Sequence, residues 1–303
     1  MKKQGKMPLL IMICGIVLCC AARIFAIFQT DMNTGFIVHG KSVLCNALYY
    51  GILILTTVGV MLTAKRGEIL EYTGFANWKS NAVGFATLIL AFGAAYEGIR
   101  ELNALSPSVF LAIMDFVFAL VFAIIAFIIL ARKEIGVGIG FSYSFVGIYF
   151  TIRGICVFNS RMAIASIPEY LLDMLCIVCG AIFFVILSRY LTGNGGSGKA
   201  VCFWGTATAA IGISPTIGAA AAKIFGAAEL SERITFGYNT AELFFQTHTG
   251  DNAYMMTGLY LVNTLLGAFA AVTVTVLLIG KKAENTAKEV DDNINAEERG
   301  STL

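Results

Sequence analysis

Six ionisable residues set in apolar surroundings carry whatever site chemistry this chain holds: Arg23, Arg100, Asp115, Arg153, Asp173 and Lys223. A planar guanidinium grips a carboxylate or phosphate through two parallel hydrogen bonds, and an ammonium adds a point charge. Four cations against two acids therefore favour a small anionic solute as partner, with Asp115 and Asp173 orienting the cations. The plainer alternative is internal. Each cation pairs with a neighbouring acid, as Glu97 three residues before Arg100 allows, or extends its head towards lipid headgroups. Asp115 and Asp173 speak for a site more strongly than the cations do, because a short carboxylate cannot reach out of hydrocarbon and needs a partner.

Other familiar chemistries find no support. Gly193-Asn-Gly-Gly-Ser-Gly198-Lys199-Ala200 nearly matches a phosphate-binding loop, but Ala200 stands where a magnesium-binding hydroxyl belongs, and both neighbours are apolar spans. The stretch reads as a flexible linker. Cys176 and Cys179 have redox-motif spacing, yet they lie inside an apolar segment, where thiols behave as small hydrophobes. The only two histidines, His39 and His248, offer too few ligands for a metal. No cofactor motif is present and nothing argues for catalysis. Gly212-Ile-Ser214-Pro215-Thr216 interrupts a small-residue-rich span. Transporters use such breaks to expose backbone dipoles to substrate, although a membrane proline more often makes only a packed kink.

The elements that must position these residues are membrane helices. Of 303 residues, 58% are hydrophobic and 13% charged, about half the charge of an ordinary soluble domain, and mean hydropathy is +0.80. A net charge of +2 that sits at segment edges excludes nucleic acid as a partner; the lipid bilayer takes its place. Crossing about 30 Å of hydrocarbon takes roughly 20 apolar residues. Spans are expected near 8–28, 43–64, 82–99, 109–131, 135–158, 170–191, 200–222 and 255–280. Each must be helical, because lipid offers backbone groups no partner. The expected fold is all-α, a polytopic membrane bundle of about eight transmembrane helices arranged as four helical hairpins. The first span follows Lys2 and Lys3, but its apolar run continues past Arg23, so it is read as retained and not as a cleaved signal.

Basic residues mark one side of the membrane: Lys2, Lys3, Lys6, Lys65-Arg66, Arg132-Lys133, Arg189 and Lys281-Lys282. The positive-inside rule then puts residues 1–7 and the charged tail 281–303 in the cytoplasm of a cell-membrane protein, with 223–254 as a long outer loop. On that outer side odd spans carry Arg23, Arg100, Arg153 and Lys223, while even spans carry Asn46, Asp115, Asp173 and Asn263. Each of those last four lies 16 to 19 residues before the next basic anchor, roughly 25 Å up a helix. The third and fourth spans share Gly-Phe and Ile-Arg pairs with the fifth and sixth (Gly84-Phe85 with Gly140-Phe141, Ile99-Arg100 with Ile152-Arg153), so an internal duplication is plausible. Two functions fit. The first is a transporter or membrane-embedded solute-binding protein, with an outward-facing polar site near Arg100, Asp115, Arg153, Asp173 and Ser214-Pro215. The second is a non-transporting sensor, accessory subunit or scaffold.

Overall fold

The computed structural model describes residues 7–29, 37, 40–64, 78–102, 109–131, 137–161, 168–194, 197–224 and 261–279. Among them run eight α-helices: α1 (Met7–Ile27), α2 (Ser42–Thr63), α3 (Trp78–Leu102), α4 (Val109–Leu130), α5 (Val137–Arg161), α6 (Pro168–Leu191), α7 (Gly198–Ile224) and α8 (Leu261–Ile279). Seven of these are long and apolar enough to cross a membrane. The eighth, α5, has 25 residues and is long enough, but its sequence is diluted by Gly, Ser and Tyr and carries Arg153. The expected spans and the helices coincide to within a few residues at most ends. The amino-terminal residues 1–6, the stretch 225–254 of the expected outer loop, residues 255–260 of the last expected span and the tail 281–303 lie outside the described residues, as do Lys65-Arg66, Arg132-Lys133, His39 and His248.

Successive helices pair as hairpins: α1 with α2, α3 with α4, and α5 with α6. The fourth pair, α7 with α8, meets where Gly212 faces Asn263 and Gly267. Further contacts of α7 with α1, α2 and α6 close the bundle on one flank. The last helix is an interior element. It touches α3 through Leu265 at Gly93, α6 through Leu266 at Gly180, and α5 through Phe269 beside Tyr143. Burial grades accordingly: 67% of the apolar window of α7 and 61% of those of α6 and α8 are enclosed, against 33% for α2 and α4.

Helix periodicity explains which faces turn inward. On α4 the buried stripe Asp115, Phe118, Phe122, Ile125, Ile129 recurs every three to four residues, whereas Phe110, Ile113, Val117, Leu120, Ile124 and Phe127 face outward. An outward face this apolar suits lipid. At the centre, Phe184 of α6 stacks on Tyr143 and Phe150 of α5 and on Phe269 of α8, with ring centroids 5.4–5.7 Å apart. Aromatic pairs in this range add about 0.5–1.5 kcal/mol beyond their area.

Two local features bear on the linker and the proline noted in the sequence. The glycine-rich stretch after α6 begins as an ordered cap. Gly193 adopts φ +71°, its N–H donates to the Tyr190 carbonyl, and the Asn194 N–H donates to the Arg189 carbonyl at 3.1 Å. This paired closure needs a left-handed residue, which glycine supplies. The second feature is in α7, which is one continuous helix with Pro215 inside it, the packed alternative to an exposed break. Contacts to α2 and α8 around the proline, described below, hold it in place.

Candidate functional site

Because consecutive helices run in opposite directions, the ends of α1, α3, α5 and α7 and the starts of α2, α4, α6 and α8 lie at one end of the bundle. Most of the buried charge gathers there, in two clusters.

The first cluster is ionic and joins α3, α4 and α5. Arg153 is 4% exposed, and Glu97 and Asp115 are fully buried. The Arg153 guanidinium divides its two terminal nitrogens between two helices. Nη1 donates to Asp115 Oδ1 and Nη2 to Glu97 Oε1, each at 2.6 Å. On α3, Glu97 also accepts from Arg100 three residues later, with Oε2 3.2 Å from Nε and Oε1 in contact with Nη2. Tyr149, four residues before Arg153 and so on the same face of α5, donates its hydroxyl to Asp115 Oδ1 and accepts from Arg153 Nη1 at 3.2 Å. Phe118 stacks on the Tyr149 ring at 4.2 Å and holds it against α4. The outcome is an alternating array, Arg100–Glu97–Arg153–Asp115, with Tyr149 at its inner end. Two positive and two negative side chains balance, so the ionised cluster has no net charge.

That balance has energetic weight. An isolated charge in a low-dielectric interior costs several kcal/mol, whereas a paired and hydrogen-bonded one is tolerated. Glu97 bridges both arginines, so neither arginine nor either acid is left alone. Of the four, Arg100 is the most open, with 16% of its side chain accessible in the last turn of α3. Two buried atoms, Asp115 Oδ2 and Arg153 Nε, have no hydrogen-bond partner among the described residues.

The second cluster is mostly neutral and joins α2, α6, α7 and α8. Asn263 donates its side-chain amide to Asp173 Oδ1 at 3.1 Å. Tyr49 and Ser214 share a buried hydroxyl–hydroxyl bond of 2.7 Å. Thr264 on α8 meets the Thr216 hydroxyl and lies 3.4 Å from the Gly212 carbonyl. Helix approach there is close enough that a side chain at Gly212 would overlap the Asn263 carbonyl. Arg23, 4% exposed, packs its aliphatic stem against Gly218, where a Cβ would lie 2.9 Å from Arg23 Cγ.

The six residues singled out in the sequence therefore have different surroundings. Arg100, Asp115 and Arg153 come together. Asp173 joins Asn263, and Arg23 sits between α1 and α7. Lys223 belongs to the last turn of α7, and its side chain lies outside the described residues. Arg23 and Arg153 do not extend towards headgroups; both are enclosed by neighbouring helices. The shared outer register of Asn and Asp holds for Asp115, Asp173 and Asn263, all buried, but Asn46 is exposed and Tyr49 supplies the inward polar group of α2. Glu97 carries more than the local pairing its spacing with Arg100 indicates, since it also binds Arg153 on another helix. Tyr149 was missed altogether, although its i,i+4 relation to Arg153 was a readable signal.

All eight cysteines are free thiols, with Cys176 and Cys179 buried on α6, in keeping with a packing role. Among the described residues no group of three or more His, Cys, Asp or Glu side chains is arranged to hold a metal ion. Comparison with family models, with curated proteins and with solved structures finds no match.

Proposed function

We propose that this multi-pass membrane protein binds or transports a small anionic solute at the polar end of its helix bundle. The observation that carries this reading is the convergence of Arg100, Asp115 and Arg153, with Glu97, on one cluster among apolar helices. Ionisable groups in such surroundings are expensive, and they mark solute or ion pathways more often than packing. An anion reaching part-open Arg100 meets a guanidinium already engaged by Glu97. It binds by replacing a protein carboxylate on an arginine, which keeps the buried charge balanced if the displaced acid takes up a proton or turns to water. Arg23, Asp173 and Lys223 complete the proposed solute path from the neighbouring helices. The protein resides in the cell membrane with both termini in the cytoplasm, a reading supported by the Lys and Arg doublets at alternate connections.

The test compares wild type with Asp115→Asn and Asp173→Asn across a panel of small carboxylates, phosphate and sulfate, by uptake into proteoliposomes and by thermal shift. A saturable response to one anion class in wild type, weakened at least about tenfold (roughly 1.4 kcal/mol) in Asp115→Asn, is the expected outcome. Identical behaviour of wild type and both variants across the panel would sink the assignment. One observation favours a second reading, that of a non-transporting sensor, accessory subunit or scaffold: each arginine of the cluster already has a carboxylate partner within the protein. Under that reading no anion alters the melting temperature.

A further inference from the structure

Within the ionic cluster, the bonds of Glu97 show what an incoming anion does to the charge. Its carboxylate lies along one edge of the Arg100 guanidinium, with Oε2 3.2 Å from Nε and Oε1 in contact with Nη2. Arginine offers that parallel pairing to any carboxylate. The same Oε1 accepts from Arg153 Nη2 at 2.6 Å. Asp115 is held differently: among the described residues its hydrogen bonds come from α5, from Arg153 Nη1 at 2.6 Å and from the Tyr149 hydroxyl. A solute carboxylate that takes over the Arg100 edge therefore displaces Glu97 and leaves Asp115 with Arg153. The displaced carboxylate cannot turn to water. Glu97 is fully buried and lies three residues further into α3 than Arg100, about 4.5 Å along the axis, and the longer Arg100 side chain is itself only 16% accessible.

The groups around Glu97 offer it no second cation. Its own helix carries Tyr96, Arg100 and, one turn nearer the end, the half-buried Glu101. Asp115 faces it from α4, and Tyr149 and Arg153 from α5. The last helix also packs on α3, at Gly93, but has no titratable residue between Leu261 and Ile279. With solute bound, Arg100 balances the solute and Arg153 balances Asp115, so the Glu97 charge is surplus. We propose that binding of a monocarboxylate at Arg100 is coupled to uptake of one proton by Glu97. The proton comes from solvent water and adds to a Glu97 oxygen, giving the neutral acid, while the guanidinium edge passes from Glu97 to the solute. The cluster has no net charge before or after. Either partner alone would leave one uncompensated charge in a low-dielectric interior, which is costly. A dianion would need a second proton, so a single-charged carboxylate is the preferred ligand. This coupling rests on the solute reading above.

The experiment titrates the full-length protein in detergent with acetate, lactate, benzoate or sulfate by calorimetry, in buffers of different ionisation heat. The range is about pH 6 to about pH 8, where carboxylates of this kind stay ionised. A monocarboxylate is expected to bind with uptake of about one proton, its dissociation constant falling about tenfold for each unit by which pH is lowered. Sulfate binds at least about tenfold more weakly. In Glu97→Gln the displaced group carries no charge, so proton uptake disappears and carboxylate affinity no longer varies with pH. Carboxylate binding without proton uptake overturns the coupling and leaves the solute reading standing, as does uptake that persists unchanged in Glu97→Gln. Sulfate binding more tightly than every monocarboxylate overturns the preference for a single charge, and the coupling with it. No binding by any of these anions sinks the solute reading itself. Should Glu97→Gln not fold, the wild-type proton count decides alone, about one sustaining the coupling and none overturning it.

Discussion

The two polar clusters at one end of the bundle solve the same problem by different means. Around Arg153, four formal charges from α3, α4 and α5 cancel one another through hydrogen bonds of about 2.6 Å. Around Gly212, hydroxyls, carbonyls and one amide from α2, α7 and α8 are satisfied by each other, with Asp173 at the edge. The first arrangement is all-or-none, because removing one member strands a charge that the interior cannot solvate. The second is graded, since a lost neutral hydrogen bond leaves a penalty of only about 1–3 kcal/mol. Their settings differ as well. Backbones of α4 and α5 approach far less than those within the α3–α4 and α5–α6 hairpins, so long side chains span the gap. The crossing of α7 and α8 depends instead on glycines, which let the backbones themselves touch.

This contrast is open to attack in order of size. Arg153→Met should be the most damaging single change, leaving Glu97 and Asp115 without their shared cation and costing about 3–5 kcal/mol. A thermal-unfolding loss no greater than that of a surface mutation would show that the ionic cluster is not needed to join the α3–α4 hairpin to α5. Pairing it with removal of both acids, Glu97→Gln and Asp115→Asn, should recover part of the loss. An additive further loss in the triple variant would contradict charge balance as the cause.

Gly212→Val should come next. A branched side chain there meets the Asn263 carbonyl and the Gly267 backbone, neither of which can swing away, so α7 and α8 must separate at a cost of about 1–3 kcal/mol. The change is local, and the ionic cluster should survive it. That is checked by a double-mutant cycle with Arg153→Met, which should be additive within about 0.5 kcal/mol. Strong coupling would mean that the two clusters act as one.

The smallest effect belongs to the hydroxyl pair. Tyr49→Phe and Ser214→Ala should each cost about 1 kcal/mol, and the double variant should cost little more than either alone, because one bond is lost in all three. Additive losses would show that the two hydroxyls have other partners of equal weight.

Much of the fold was legible in the chain because a membrane narrows the choices. Apolar stretches of about 20 residues can only be helices, and short connections bring neighbours together as antiparallel hairpins. The helices accordingly fall within a few residues of the expected spans. Half of the residues marked for a site, Arg100, Asp115 and Arg153, also came together. The others could not be placed, since rotation about a helix axis depends on neighbours the sequence does not name. Asn46 illustrates the point. It shares its depth with Asp115 and Asp173, yet α2 turns it outward and presents Tyr49 three residues later. Glu97 illustrates the converse: spacing shows its bond to Arg100 within α3, while its bond to Arg153 depends on how α3 and α5 lean together.

What the amino-acid sequence determined alone is the class of solvent and, among the described residues, the number and length of the helices. These follow from hydropathy and from a fixed rise per residue, both of which are local. Only the tertiary structure decided that the last helix lies inside the bundle, that α7 passes through Pro215 unbroken, and that four charges cancel around Arg153 while Asp173 turns to Asn263. Those outcomes depend on which faces meet. A buried charge is stable only beside a partner, and the partner comes from a distant part of the chain.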